Sequence, residues 1–267
     1  MLNDTLIRVP RTNGLTLLHK RGAKGARELS SWRLRVNPGS PVSHTLADEE
    51  MIVVLQQGRG TFRAGDKRWP VSRDGVFAGR GTAVYVPPGV EFTAEATTPI
   101  EAIAVSTPAP AGGSAAFVGP EDVAVNPRGR GSYSREVHDL FVRDPHVRRL
   151  MVGETFNPPG NWSSYPPHKH DGRDGEPKLE EVYHYRIDPP QGFGHQMIYT
   201  ADGEAVVHAV RDGDAVILPY GYHPVSTPPG YRLYYLWAIA GEERRLALHE
   251  DPDHRWVHDI PEPAQKA

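Results

Sequence analysis

Leu179-Glu180-Glu181-Val182-Tyr183-His184-Tyr185-Arg186-Ile187 is the stretch on which the fold turns. It is rich in β-branched and aromatic residues, which suits a strand. A strand has a period of two, so Glu181, Tyr183 and Tyr185 share one face and Val182, His184 and Arg186 the other. The opening of this stretch has an earlier counterpart: Glu180-Glu181-Val182-Tyr183 follows Glu49-Glu50-Met51-Ile52-Val53 at an offset of 131. Likewise Pro219-Tyr220-Gly221-Tyr222-His223 follows Pro87-Pro88-Gly89-Val90-Glu91 at an offset of 132. Asp74-Gly75 and Asp212-Gly213 precede the two Pro-x-Gly turns in the same order. Two similar offsets in one order indicate duplication of a β unit of roughly 100 residues.

The rest of the chain agrees. Short apolar runs at Met51–Leu55, Ala83–Val86, Ala102–Val105, Val182–Ile187, Ala215–Leu218 and Tyr234–Ile239 lie between turn signals and read as strands. Gly and Pro number 27 and 26 of 267 residues, a density that favours short strands over a helical bundle. Helical periodicity is weak; its best stretch, Glu136–Met151, is interrupted by Pro145 and runs on into strand. Thr107–Ser134, with PAPAGGSAAF and NPRGRGS, reads as a connector, and the tail from Pro261 is expected to fray. The fold class is therefore all-β, with a unit over 1–118 and a second over 119–267.

Composition narrows the function. Thirty Lys and Arg against 33 Asp and Glu give a net charge of −3, which argues against a nucleic-acid or anionic-membrane partner. No apolar run reaches the roughly 20 residues of a membrane span, and the start MLNDTLIRVPRTNG shows no secretory signal, so a cytoplasmic location is expected. The absence of cysteine excludes thiolate catalysis, disulfides and cysteine-held metals. Any metal must sit on His, Asp or Glu.

His168-Lys169-His170, within GNWSSYPPHKHD, supplies such a site. In a strand, imidazoles two apart point the same way and can grip one ion. Glu181 is the third candidate ligand and His223, aimed by the Pro219-x-Gly221 turn, the fourth. Asp171, Asp174, Glu176 and Glu180 rival Glu181, whose face is favoured because it carries two aromatics. Three imidazoles and a carboxylate suit one divalent ion: Zn first, with Mn, Fe, Ni or Co as alternatives. No dinucleotide or phosphate-cradling glycine motif stands in a strand–helix setting, so no nucleotide cofactor is expected.

Gly160-x7-His168-x-His170-x10-Glu181 followed by Gly213-x5-Pro219-x-Gly221-x-His223 resembles the two cupin motifs, with a longer loop before the Glu than cupins usually have. GNWSSYPPHKHD, LEEVYHYRI, QGFGHQMIYT, VRDGDAVILPYGYHPV, PPGYRLYYLWAIAG and DPDHRW resemble more closely the 5-deoxy-glucuronate isomerase family, the bicupin isomerases of bacterial myo-inositol catabolism. The resemblance covers most of the chain and is strongest from Arg148 to Trp256. It implies two tandem jelly-roll-like β-barrels and interconversion of 5-deoxy-D-glucuronate with 5-dehydro-2-deoxy-D-gluconate.

That chemistry asks for a cation to polarise the carbonyl, a proton carrier and a positive group for the substrate's carboxylate. Tyr183, Tyr185, Tyr222 and Tyr235 are the candidate proton carriers. Lys169, Arg186 and Arg232 are the candidate carboxylate binders, and Trp162 and Phe193 candidate walls. The first half offers only Ser43-His44-Thr45 and Glu91 at the matching places, so no metal is expected there; a weak site on His44, Glu50 and Glu91 is the alternative. Competing functions are an Fe(II)-dependent cupin dioxygenase, an isomerase of a related keto-uronate and a non-catalytic sugar-binding bicupin. The partner is a small sugar acid, and a homo-oligomer is compatible with the sequence.

Overall fold

The structure, a computed structural model, describes residues 2–261, and the tail beyond Pro261 lies outside them. Every predicted run falls in a strand. Glu49–Ala64 pairs with Ala83–Val86 on one side and Phe92–Pro108 on the other, and Ser30–Val36, Gly14–His19 and Ala116–Val118 complete the path of the first large sheet. In the second, Leu179–Asp188 pairs with Ala215–Leu218 and Arg232–Gly241, followed by Met151–Asn157, Arg135–Asp139 and Ala124–Arg128. The two sheets share one strand order, as duplication requires. A four-stranded sheet with the order Trp162–Ser163, Val225–Ser226, Phe193–Tyr199, Ala205–Arg211 packs Ile198, Val210 and Val225 into one core with the second. Among the described residues no helix is long and apolar enough to cross a membrane.

Two expectations are refined and one feature is new. Thr107–Ser134 is more than a connector, since Ala116–Val118 joins the first sheet and Ala124–Arg128 the second. Glu136–Met151 holds no helix: it begins within Arg135–Asp139 and ends where Met151–Asn157 begins. The edge place that Ala116–Val118 takes in the first sheet is taken in the second by the N-terminal strand Leu6–Ile7, bonded to Ala215–Leu218. The chain therefore starts on its second sheet before building its first.

Strand alternation sorts the side chains into three cores. Ile52, Val54, Ile103 and Val105 pack against Val182, Ile217, Leu236 and Ala238, forming the seam between the units. Met51, Val53, Leu55, Phe62 and Phe92 fill the first barrel with apolar groups. Tyr183, Tyr185, Tyr235, Trp237 and Ile198 line the second. The weak-site candidates do not meet: Glu50 faces the seam, accepting from the backbone N–H groups of Arg148, Arg149 and Leu150, while His44 packs on Trp32.

Two carboxylates show how the copies correspond. Glu50 binds the N–H groups that lead into Met151–Asn157, and Glu180 binds those of Arg27, Glu28 and Leu29, which lead into Ser30–Val36. Glu50 therefore matches Glu180, one residue away from the match suggested by sequence, and Glu181 matches Met51. The same shift is seen in the ladders, where Met51 opposes Val86 and Glu181 opposes Leu218.

The seam also holds a buried ion pair. Arg73 grips Glu154 with two bonds of 2.7 and 3.0 Å, and Tyr234 adds a third of 2.7 Å to the same carboxylate. A buried pair becomes costly when one partner is removed, because the other charge is stranded. Arg73→Met is expected to lower unfolding free energy by about 3–5 kcal/mol in urea titrations, and Arg73→Met with Glu154→Leu by clearly less.

Candidate metal centre

His168 and Lys169 form a short strand against His249–Glu250, while Glu181 lies on an interior strand of its sheet. His223 follows Gly221, whose φ of +88° suits glycine and at which a Cβ would fall 2.6 Å from the Tyr199 carbonyl oxygen. That turn aims His223 into the barrel. His170 Nε2 lies 3.0 Å and His223 Nε2 3.4 Å from the same Glu181 oxygen. One ligand atom from each of the three lies within 4.8 Å of the others. The His168 ring stands beside this set, 4.9 Å from that of His223.

The donor set suits a cation. His170 Nδ1 lies 3.1 Å from the Leu179 carbonyl and His223 Nδ1 2.9 Å from that of Gly221. A carbonyl only accepts, so each Nδ1 donates and each Nε2 is turned inward, bare on His223 and against Glu181 on His170, the usual posture of a metal-binding imidazole. Burial pushes His223 down to about 4 and His168 well below its ordinary value, so both rings are neutral near pH 7. Burial also opposes a charge on His170, and the Glu181 bond and charge outweigh it, raising that pKa. His223 Nε2 is buried without a hydrogen-bond partner. Lone pairs converging on one carboxylate oxygen repel unless a proton or a metal ion lies between them.

The rival acids are engaged elsewhere. Asp171, Asp174 and Glu176 surround the Lys169 ammonium at 2.8, 2.8 and 2.5 Å. Asp174 and Glu176 also lie near His249, but Lys169 already supplies the cation there. Glu180 points to the seam.

The structure keeps all three proposed carboxylate binders away from the centre. Lys169 is enclosed by its three acids. Arg186 is on the seam face, 2.9 Å from Asp212. Arg232 is paired with Asp188 at the surface and lies over Phe77. Phe193 is exposed and turned outward, and Trp162 stands in an aromatic groove with Tyr133, Tyr165 and Trp256.

Of the tyrosines, Tyr183 and Tyr235 stack at 4.2 Å within the barrel, their hydroxyls bonded to Ser164 (3.0 Å) and Ser163 (2.9 Å). The Tyr183 ring lies 6.1 Å from His223. Tyr185 is held by Gln196, which also binds the His223 carbonyl, and Tyr222 packs on Tyr199. Sequence reasoning passed over Ser163, Ser164, Asn157 and Arg135. The two serines were visible in GNWSSYPPHKHD as polar residues just before the ligand pair.

A model of the KduI/IolB family matches residues 8–257. The chain belongs to the KduI/IolB family. It is 39% identical over 228 residues to a 5-deoxy-glucuronate isomerase of Geobacillus kaustophilus, covering 82% of each chain. The crystal structure of an IolB-like protein from Salmonella typhimurium superposes with a TM-score of 0.85 at 29% identity, over 92% of this chain and 100% of that one. An oxalate decarboxylase of Lactobacillus farciminis, at 12% identity and a TM-score of 0.67 over 97% of this chain and 89% of its own, shares the fold alone. The two barrels are thus those of a bicupin.

Neighbouring glutamates should separate in their effects. Glu181→Gln and His170→Ala are expected to abolish retention of a divalent metal, measured by elemental analysis of purified protein. Glu180→Gln is expected to retain the metal and lose about 1–3 kcal/mol of stability, because its backbone donors lose a charged acceptor.

Proposed function

We propose that this chain is a cytoplasmic, metal-dependent aldose–ketose isomerase that converts 5-deoxy-D-glucuronate to 5-dehydro-2-deoxy-D-gluconate. The observation that carries this is the convergence of His170, Glu181 and His223, with His168 beside them, inside a barrel of the KduI/IolB family. Relatives named 5-deoxy-glucuronate isomerase support the substrate. On this reading residues 119–267 carry the chemistry, and residues 1–118 form a scaffold across the seam.

A divalent ion bound there would polarise the substrate carbonyl and stabilise the enediolate as negative charge develops. His168, His170, Glu181 and His223 are the residues that would hold it. The remaining work falls to the second barrel's own groups. The stacked phenols of Tyr183 and Tyr235 are protonated near pH 7 and can bond to the two oxygens whose roles exchange. Ser164 and Ser163 fix their hydroxyls, so the proton moving between oxygens meets preset partners. Tyr185, bonded to Gln196, supports the His223 turn. Closely packed aromatic walls exclude water and strengthen each of these polar contacts.

The test is an NMR assay with 5-deoxy-D-glucuronate, using protein as purified, chelated and re-metallated. Conversion to the 2-deoxy-5-keto acid is expected to stop on chelation and return with metal. Turnover that survives verified metal removal would sink the metal's role. Oxygen uptake without isomerisation would favour the dioxygenase reading instead. Tyr183→Phe is expected to lower kcat about 10²–10⁴-fold at unchanged metal content, the usual loss on removing a positioned proton carrier.

A further inference from the structure

The proposed reaction leaves one requirement without a residue: a cation for the substrate's carboxylate. Arg135 begins the strand Arg135–Asp139. Alternation places it on the face of Val137, which packs against the second barrel's interior. Glu136 pairs with Phe156, so Arg135 is level with Asn157 on the next strand. Asn157 donates to Ser163, which holds the Tyr235 hydroxyl, so this level of the sheet borders the chamber, and the Arg135 charge acts on Tyr183, Tyr235 and His168.

Two features together mark it. The half-buried Arg244 bonds only to carbonyls, while the buried Arg33 and Arg73 each have an acid, Glu101 and Glu154. Arg135 has none among the described residues. Its Nη1 donates to the carbonyls of Tyr133 and Tyr165, each at 3.1 Å, which uses both protons of that nitrogen. The Nε–Nη2 edge remains, the side-on fork that matches a carboxylate. Independently, Asn157 is buried and donates to Ser163 at 2.8 Å, yet its Oδ1 has no partner. A buried acceptor left bare is costly unless a ligand or water donates to it.

We propose that Arg135 receives the substrate carboxylate on its Nε–Nη2 edge while Asn157 Oδ1 accepts from a substrate hydroxyl. The proposal rests on the isomerase reading for the identity of the substrate, but not for the existence of the subsite. It makes Arg135 a specificity residue that selects sugar acids over neutral sugars.

The experiment is calorimetric titration of the metal-loaded protein with D-glucuronate and D-glucuronamide, in wild type, Arg135→Gln and Arg135→Lys. Wild type is expected to prefer the acid, and Arg135→Gln to weaken acid binding about 30-fold or more while leaving the amide unchanged. Arg135→Lys should fall between them, keeping the charge without the fork. In the isomerase assay, Arg135→Gln should raise KM more than it lowers kcat. Equal weakening of acid and amide would show that Arg135 only braces the loop carbonyls and would overturn the proposal. So would a wild type with no preference for the acid, or a preference undiminished in Arg135→Gln. Should Arg135→Gln fail to fold, Arg135→Lys and the wild-type acid-over-amide ratio still decide. Failure of metal-loaded wild type to convert 5-deoxy-D-glucuronate would remove the isomerase reading and leave the binding result standing.

Discussion

Glu180 and Glu181 are adjacent in a strand, so they must point to opposite sides of one barrel wall. Both are buried, and a buried carboxylate needs several donors or a cation. Glu180 meets its need at the seam, where the backbone N–H groups of Arg27, Glu28 and Leu29 close on it. Glu181 meets its need in the interior, where the imidazoles of His170 and His223 face it. One strand phase thus fixes both the join between the barrels and the position of the acid that faces the histidines. A slip of one residue would bury Glu181 in the seam and turn Glu180 away from the backbone N–H groups that hold it.

The first barrel kept the seam half of this arrangement. Glu50 binds the backbone before Met151–Asn157 just as Glu180 binds the backbone before Ser30–Val36, so each unit holds the other's entry strand. At the position of Glu181 the first barrel has Met51, followed inward by Val53 and Leu55. An apolar filling needs no donors, packs densely and gives the duplicated unit a rigid face against which the second can be polar inside. The exchange of Leu6–Ile7 onto the second sheet adds a further tie between the units.

What the sequence could show follows from the range of each interaction. The inward face of Glu181, Tyr183 and Tyr185 was readable because a period of two is local, and His168-x-His170 for the same reason. The repeat was readable but its register slipped by one. Two Glu-Glu pairs align best by identity, whereas the backbone donors that equate Glu50 with Glu180 come from about 100 and 150 residues away. Lys169 was named a carboxylate binder because the loop that folds its acids around it has no periodic signal. Arg135 was missed because its place depends on sheet pairing and on carbonyls at Tyr133 and Tyr165.

The longer loop before Glu181 has an electrostatic consequence for the chamber. Residues 171–176 bring three carboxylates near the histidines, and three uncompensated negative charges would compete with Glu181 for any cation. The Lys169 ammonium lies among all three, while Asp171 also accepts from the Gly221 N–H at 3.2 Å. The loop's acids are thereby turned into a brace between the two segments that deliver His170 and His223. Glu181 is left as the carboxylate facing the imidazoles, so a divalent ion held there would keep a net positive charge. On the isomerase reading that residual charge would stabilise developing negative charge on the substrate, and it depends on Lys169 facing away from the site, as strand alternation requires.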